Sequence, residues 1–239
     1  MTSITVTHQS IIQDWPTPAH IQNPQTLVLG SFNPFFEDGQ VVDYFYGRPS
    51  NYFWKVIAQL AGHQNEDHFL KNINHKLDFM NNRFCCIDVI DSIVFTSENE
   101  PILQEYINKK IKSGFLDQHI FKSKTQFVSK TNSGTVYLKR NYNHAIIESL
   151  LKSSSIKRVV HTMGSNRITD QTANPKEKRL AIDGFEGYIN RIKTICANRK
   201  IRFINQSYSP SEYAVKNGST PIPEFANFLI EHLYLPRVN

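Results

Sequence analysis

The chain is predicted to fold as an α/β protein: a three-layer α/β/α sandwich around a central, mainly parallel four-stranded sheet. Three observations predict it. Short apolar runs recur at residues 26–30, 84–90, 157–163 and 201–205, bounded by turn formers as buried strands are. Helical patterns lie between and after them, at 52–61, 101–112, 143–152, 176–198 and 221–234. No repeat, low-complexity tract or long Pro/Gly linker divides the 239 residues, so one domain spanning 1–239 is expected.

Each element has its own signal. The first strand, Leu27-Val28-Leu29, ends in Gly30-Ser31 and a rigid Asn33-Pro34 turn. An aromatic segment, Tyr46 to Trp54, then opens the first helical pattern. The second strand carries Ile87-Asp88-Val89-Ile90, the third Arg158-Val159-Val160-His161, and the fourth Ile201-Arg202-Phe203-Ile204. Only residues 125–139 break the rhythm. There Asn132-Ser133-Gly134 separates two β-rich runs, which reads as a hairpin inserted at the sheet's edge or near a substrate groove.

Composition narrows the function. A formal net charge of +6 and a pI of about 9.1 favour a polyanionic partner. A basic stripe of Lys109, Lys110, Lys112, Lys122, Lys124, Lys139 and Arg140 either faces phosphates or is a solvated surface. Three cysteines, Cys85, Cys86 and Cys196, make no disulfide framework and cannot ligate a four-thiolate iron–sulfur cluster. They read as small buried hydrophobes. The nine histidines show no metal-ligand spacing, and His161 reads as an interior residue, so no metal or other cofactor is expected. No apolar run approaches the roughly 18 residues of a membrane span. Residues 1–20 lack the apolar core of a secretory signal, so a cytoplasmic protein is expected.

Polar residues just beyond a buried strand lie where open α/β sheets bind ligands. Gly30-Ser31-Phe32-Asn33-Pro34-Phe35 is such a segment, and Pro34 biases Asn33 toward extended backbone. With Tyr46-Gly47-Arg48-Pro49-Ser50-Asn51-Tyr52-Phe53-Trp54 and the distant Asn205-Gln206-Ser207-Tyr208-Ser209-Pro210-Ser211, it resembles the uracil-DNA glycosylase superfamily. The nearest likeness is to the mismatch-specific uracil/thymine and hypoxanthine-DNA glycosylase groups. Pro49, Asn51, Phe53 and Trp54 match, while Arg48 stands where histidine is usual and Gln206 where proline is usual. The stretch 158–164, ending at Gly164, looks like the family's third strand, and Asp88-Val89 is similar to a pair common in hypoxanthine-type members.

The resemblance implies hydrolysis of an N-glycosidic bond. A base is flipped into a pocket, a water is held against C1′, and the departing base anion is stabilised. Either Asn33 or Asn51 orients the water, Asn33 first. Asn51 otherwise reads the base edge, and the alternative for Asn33 is an Asx-turn or helix cap. Gly30, Ser31 and Phe32 would line the base pocket, and Tyr46 would stack on the base. Phe35 would exclude a 5-methyl group, the alternative being a simply packed ring, and Asn205 would stabilise the anion. Ser207, Ser209 and Ser211 would contact phosphates, and Tyr208 would wedge into the vacated stack. An ordinary strand-to-helix turn is the alternative for this last segment.

The resulting expectation is a monomeric, monofunctional DNA glycosylase acting on deaminated bases, uracil first. A preference for hypoxanthine or another damaged base is the enzymatic alternative. A catalytically weak nucleic-acid-binding homologue is the alternative from another class.

Overall fold

The computed structural model describes residues 1–130, 132–163 and 184–235. Gly164 and residues 176–183 of the expected fourth helix lie outside them, as does Thr131 of the expected hairpin. In chain order the elements begin with β1 (Thr2–Thr7), α1 (Gln9–Ile12), β2 (Thr26–Gly30), α2 (Phe53–Leu60) and α3 (Ile73–Met80). Next come β3 (Phe84–Asp88), β4 (Ile90–Ser97), α4 (Glu100–Tyr106), α5 (Gln118–Phe121), β5 (Lys124–Val128) and β6 (Ser133–Tyr142). The chain continues through α6 (His144–Lys152), β7 (Arg158–His161), α7 (Phe185–Asn198), β8 (Arg202–Phe203), α8 (Glu212–Lys216) and α9 (Ile222–Leu233).

The expected parallel sheet is present, with strand order β3-β2-β7-β8. All five residues of β2 and of β3 are buried, as strands covered on both faces must be. Helices α2 and α9 touch each other, and α7 packs against β8. The Thr26 hydroxyl ties β2 to the end of α9 by donating to the His232 carbonyl at 2.6 Å.

A second sheet, antiparallel with order β1-β4-β6-β5, corrects the expectation of one central sheet. The hairpin at 125–139 exists as β5 and β6, but it pairs through β6 with β4 and builds this sheet rather than edging the parallel one. The expected strand 84–90 is two strands. The chain turns at Val89, whose N–H donates to the Gly30 carbonyl at 3.0 Å, and β4 then leaves for the second sheet. Strands buried on one face alternate apolar and polar residues instead of forming an apolar run. In β6, Val136, Leu138 and Arg140 point inward; in β1, only Ile4 and Val6 supply aliphatic bulk, and threonine and serine dominate. Helix α4 packs across this sheet.

The core holds Phe53, Trp54, Phe69 and Phe84 as one aromatic cluster, with Trp54 Nε1 donating to the Phe45 carbonyl at 2.8 Å. All three cysteines are buried free thiols, as expected. Burial pushes the Cys85 thiol up to about 12 and that of Cys196 up to about 11.

Candidate active site

In the order β3-β2-β7, the chain leaves β2 to one side and later returns to its other side. Open α/β sheets place ligands outside the strand ends at such a switch point. A cavity of about 330 Å³ lies there, lined by Gly30, Asp88 and Thr162 from the ends of β2, β3 and β7. That volume is at the small end of ligand pockets, which run from about 300 to 1,000 Å³.

The first motif supplies one wall. Ser31 Oγ donates to Asp117 Oδ1 at 2.5 Å, and both residues line the cavity. Asn33 lines it too, and its Oδ1 accepts from Arg48 Nη2 at 2.6 Å. Its side chain is therefore neither an Asx-turn nor a helix cap. Its carbonyl accepts from Gln9 N at 2.9 Å, while Pro34 bridges His8 and Phe35 N donates to the Thr7 carbonyl at 2.9 Å. The end of β1 thus holds Asn33 in place. Phe32 and Phe115 line the cavity with ring centroids 6.2 Å apart. Phe35 is half-buried and is not among the lining residues.

The aromatic segment supplies a second wall. Tyr46 has φ +59°, a left-handed backbone uncommon for a bulky residue. Its ring stacks on Phe53 at 4.4 Å and its hydroxyl bonds Thr162 Oγ1 at 2.9 Å. Burial pushes the Tyr46 phenol well above its usual range. Arg48 Nε is buried with no partner among the described residues. Burial lowers its pKa, and the charge of Asp88 opposes that shift.

The C-terminal motif closes the site from 160 residues away in sequence. Asn51 pairs with Ser211 in an antiparallel bridge, and Tyr52 N donates to the Pro210 carbonyl at 2.8 Å. Asn51 Oδ1 accepts from Phe53 N at 2.9 Å, which leaves its NH₂ without an acceptor among the described residues. Ser209 and Ser211 line the cavity with hydroxyls 3.0 Å apart, and Ser211 also caps α8 through Ala214 N at 3.3 Å.

The structure places three other residues of this motif outside the cavity lining. Asn205 is exposed and lies outside the cavity lining. Ser207 is buried, and its Oγ donates to the His161 carbonyl at 2.6 Å, so it braces β7. Tyr208 packs on Phe225 and Phe228 of α9 and accepts from Gln206 Nε2 at 2.8 Å. Tyr213, at the cavity's rim, is instead the exposed aromatic, at 57%.

The floor holds a carboxylate. Asp88 Oδ2 lies 2.7 Å from His8 Nε2, and Gly30 leaves room for Oδ1. The sequence offers Asp88 only as part of a motif pair and does not single out His8. Asp88 carries a local signal, a charge closing the otherwise uncharged run Phe84-Cys85-Cys86-Ile87, which a buried strand tolerates only with a partner; His8 carries none. Arg48, which stands where the resemblance expects histidine, holds Asn33.

The chain matches no family model, curated protein or solved structure with which it was compared.

Elsewhere the basic stripe is interrupted. Lys109 pairs with Glu105, Lys112 pairs with Asp38, and Arg140 is buried with Nε donating to the Ile120 carbonyl at 2.5 Å. Among the described residues no group of three His, Cys, Asp or Glu side chains is placed to hold a metal. None of the described helices is long and apolar enough to cross a membrane.

Proposed function

We propose that the chain is a monofunctional DNA glycosylase that hydrolyses the N-glycosidic bond of a flipped deaminated base, uracil first, in base excision repair. The observation that carries this reading is the Asn51–Ser211 bridge, which joins two motif loops over one cavity at the sheet's switch point. The three-layer α/β/α arrangement belongs to the same reading, with α2, α7 and α9 as the helices available to cover the parallel sheet.

Two acceptors serve the attacking water. Asn33 Oδ1 already accepts from Arg48, whereas Asp88 Oδ1 makes no hydrogen bond among the described residues. Asp88 is therefore the stronger acceptor, and Asn33 helps to orient the water. The water oxygen bonds to C1′ and its proton passes to Asp88. The C1′–N bond breaks with its electron pair leaving on the base, which then takes a proton from solvent. The transition state has oxocarbenium character, so orientation and electrostatics suffice without a strong nucleophile.

Arg48 is the one cationic side chain among the described lining residues and takes the anion-stabilising role first expected of Asn205. Asn51 presents its free NH₂ to the base edge, and Tyr46 offers its ring for stacking. Ser209 and Ser211 serve the phosphates, and Tyr213 serves as the wedge.

The test is base release from duplexes carrying a single uracil, hypoxanthine, xanthine or mismatched thymine. Uracil release without strand nicking, retained in EDTA, is expected. Faster release of hypoxanthine would establish the alternative substrate. Duplex binding with no release from any lesion would establish a binding homologue instead.

A further inference from the structure

We infer that His8, which follows β1 of the second sheet and caps α1, is a positioning residue that holds the Asp88 carboxylate in its working orientation. The inference rests on the glycosidic reading of the cavity for its catalytic consequence, but its geometry stands apart from that reading.

His8 is 1% exposed, and its ring is packed among Trp15, Phe32 and Phe45 at centroid distances of 5.6–5.8 Å. An imidazole placed there only to fill space would leave its nitrogens buried and unsatisfied, which is costly. Both are used. The backbone N–H of Ser10 donates to Nδ1 at 3.0 Å, and Ser10 Oγ lies 2.7 Å from the same atom. A nitrogen that accepts a backbone N–H carries no proton, so the neutral ring holds its proton on Nε2. That atom is 2.7 Å from Asp88 Oδ2 and donates to it. The tautomer is thus set by a neighbouring backbone group, as in other orienting histidines.

Asp88 has little freedom once this bond is made. Oδ2 is tied to His8, and Oδ1 lies so close to Gly30 that a Cβ there would sit 1.9 Å away. The carboxylate is left with one untied oxygen and one orientation. The same N-terminal segment also sets Asn33, through Gln9 N to the Asn33 carbonyl at 2.9 Å. It is anchored in turn by His8 N donating to the Asp91 carbonyl at 2.7 Å. Residues 7–10 therefore couple the second sheet to both proposed water acceptors. His8 touches neither the cavity nor substrate; it acts through Asp88.

The test compares wild type with His8→Phe and His8→Gln. Phenylalanine keeps the ring packing and removes the donor, whereas glutamine carries an amide donor near the Nε2 position. Outer partners that orient metal ligands typically matter by about 10–100-fold, and a loss of that size is expected here. His8→Phe should lower kcat for base release by about 10–100-fold with KM within about twofold. His8→Gln should recover most of it. Crystal structures should show the Asp88 carboxylate rotated in the phenylalanine protein and restored in the glutamine protein. If phenylalanine fails to fold, His8→Asn, whose amide stops short of Asp88, carries the same comparison.

A merely structural role would lower the melting temperature of both variants without separating their kcat values, and that result overturns the inference. So does an unmoved Asp88 in the phenylalanine or asparagine protein. If wild type releases none of the four bases, the glycosidic reading has failed, and the rotation of Asp88 alone decides whether His8 positions it.

Discussion

Gly30 and Asp88 are partners in the parallel register of β2 and β3, and a single methyl group on Gly30 would overlap the Asp88 carboxylate. The added Cβ would sit 1.9 Å from Oδ1 and 3.0 Å from both Asp88 Cγ and the Tyr46 hydroxyl. Gly30→Ala must therefore displace the floor of the cavity. We expect it to abolish base release and to destabilise the fold by about 1–3 kcal/mol, the usual cost of overpacking. Urea unfolding and single-turnover release measure the two effects. A stable and fully active alanine variant would mean that Asp88 has another place to go and no fixed role.

Asn33 and Arg48 act as one unit through their 2.6 Å hydrogen bond. Asn33→Ala should cut single-turnover release by about 100-fold or more while duplex binding changes little, because orienting water is a transition-state role. Arg48→Gln should also be severe, and the double variant should be far less than additive, with a coupling of about 0.5–3 kcal/mol. Additive losses would separate the two residues. A near-wild-type rate in Asn33→Ala would leave the water to Asp88 and Asn51.

On the glycosidic reading, exclusion of a 5-methyl group falls to Phe32 and Phe115, the aromatic pair that lines the cavity, rather than to Phe35. Phe35→Gly should leave the ratio of uracil to thymine release unchanged, since Phe35 is not part of the lining. Phe115→Ala should raise thymine release relative to uracil by about tenfold, because methyl-sized steric discrimination is worth about 1–3 kcal/mol. Release from G·U and G·T duplexes reads both. A gain from Phe35→Gly with none from Phe115→Ala would return the gate to Phe35.

His161 makes stability fall in acid. It is fully buried beside Phe203, and neither ring nitrogen makes a hydrogen bond of good geometry among the described residues. Burial depresses its pKa from 6.5 to about 4, and the nearby Asn205 backbone only partly offsets this. The unfolded chain takes up the proton below pH 6.5 and the native ring only near pH 4, so the unfolded state gains as pH falls through that window. Its contribution should be intact above pH 6.5, decline by about 3 kcal/mol toward pH 4 and then level off. His161→Phe keeps the packing and should flatten this part of the stability profile. An unchanged profile in that variant would assign the acid sensitivity to other groups.

Much of the parallel sheet is legible in the sequence alone, because strands buried on both faces are largely continuous apolar runs, as Leu27-Val28-Leu29 is. The motif loops were legible for a related reason. Glycine, proline and asparagine beyond an apolar strand restrict the backbone locally, so Gly30, Asn33, Asn51, Ser209 and Ser211 were found where they line the cavity. What only the tertiary structure decided is what depends on partners distant in the chain. Of the second sheet only the β5–β6 hairpin was legible; β1 and most of β4 alternate, and half of each reads as loop. The floor was hidden because His8 and Asp88 lie 80 residues apart: the charge that closes β3 calls for a partner, but nothing in the sequence says which residue it is. The placement of Phe35, Asn205, Ser207 and Tyr208 outside the cavity lining has the same origin. A loop's sequence names the residues it carries, but pairing with β1, β7 and α9 decides which of them turn toward the cavity and which turn into the protein.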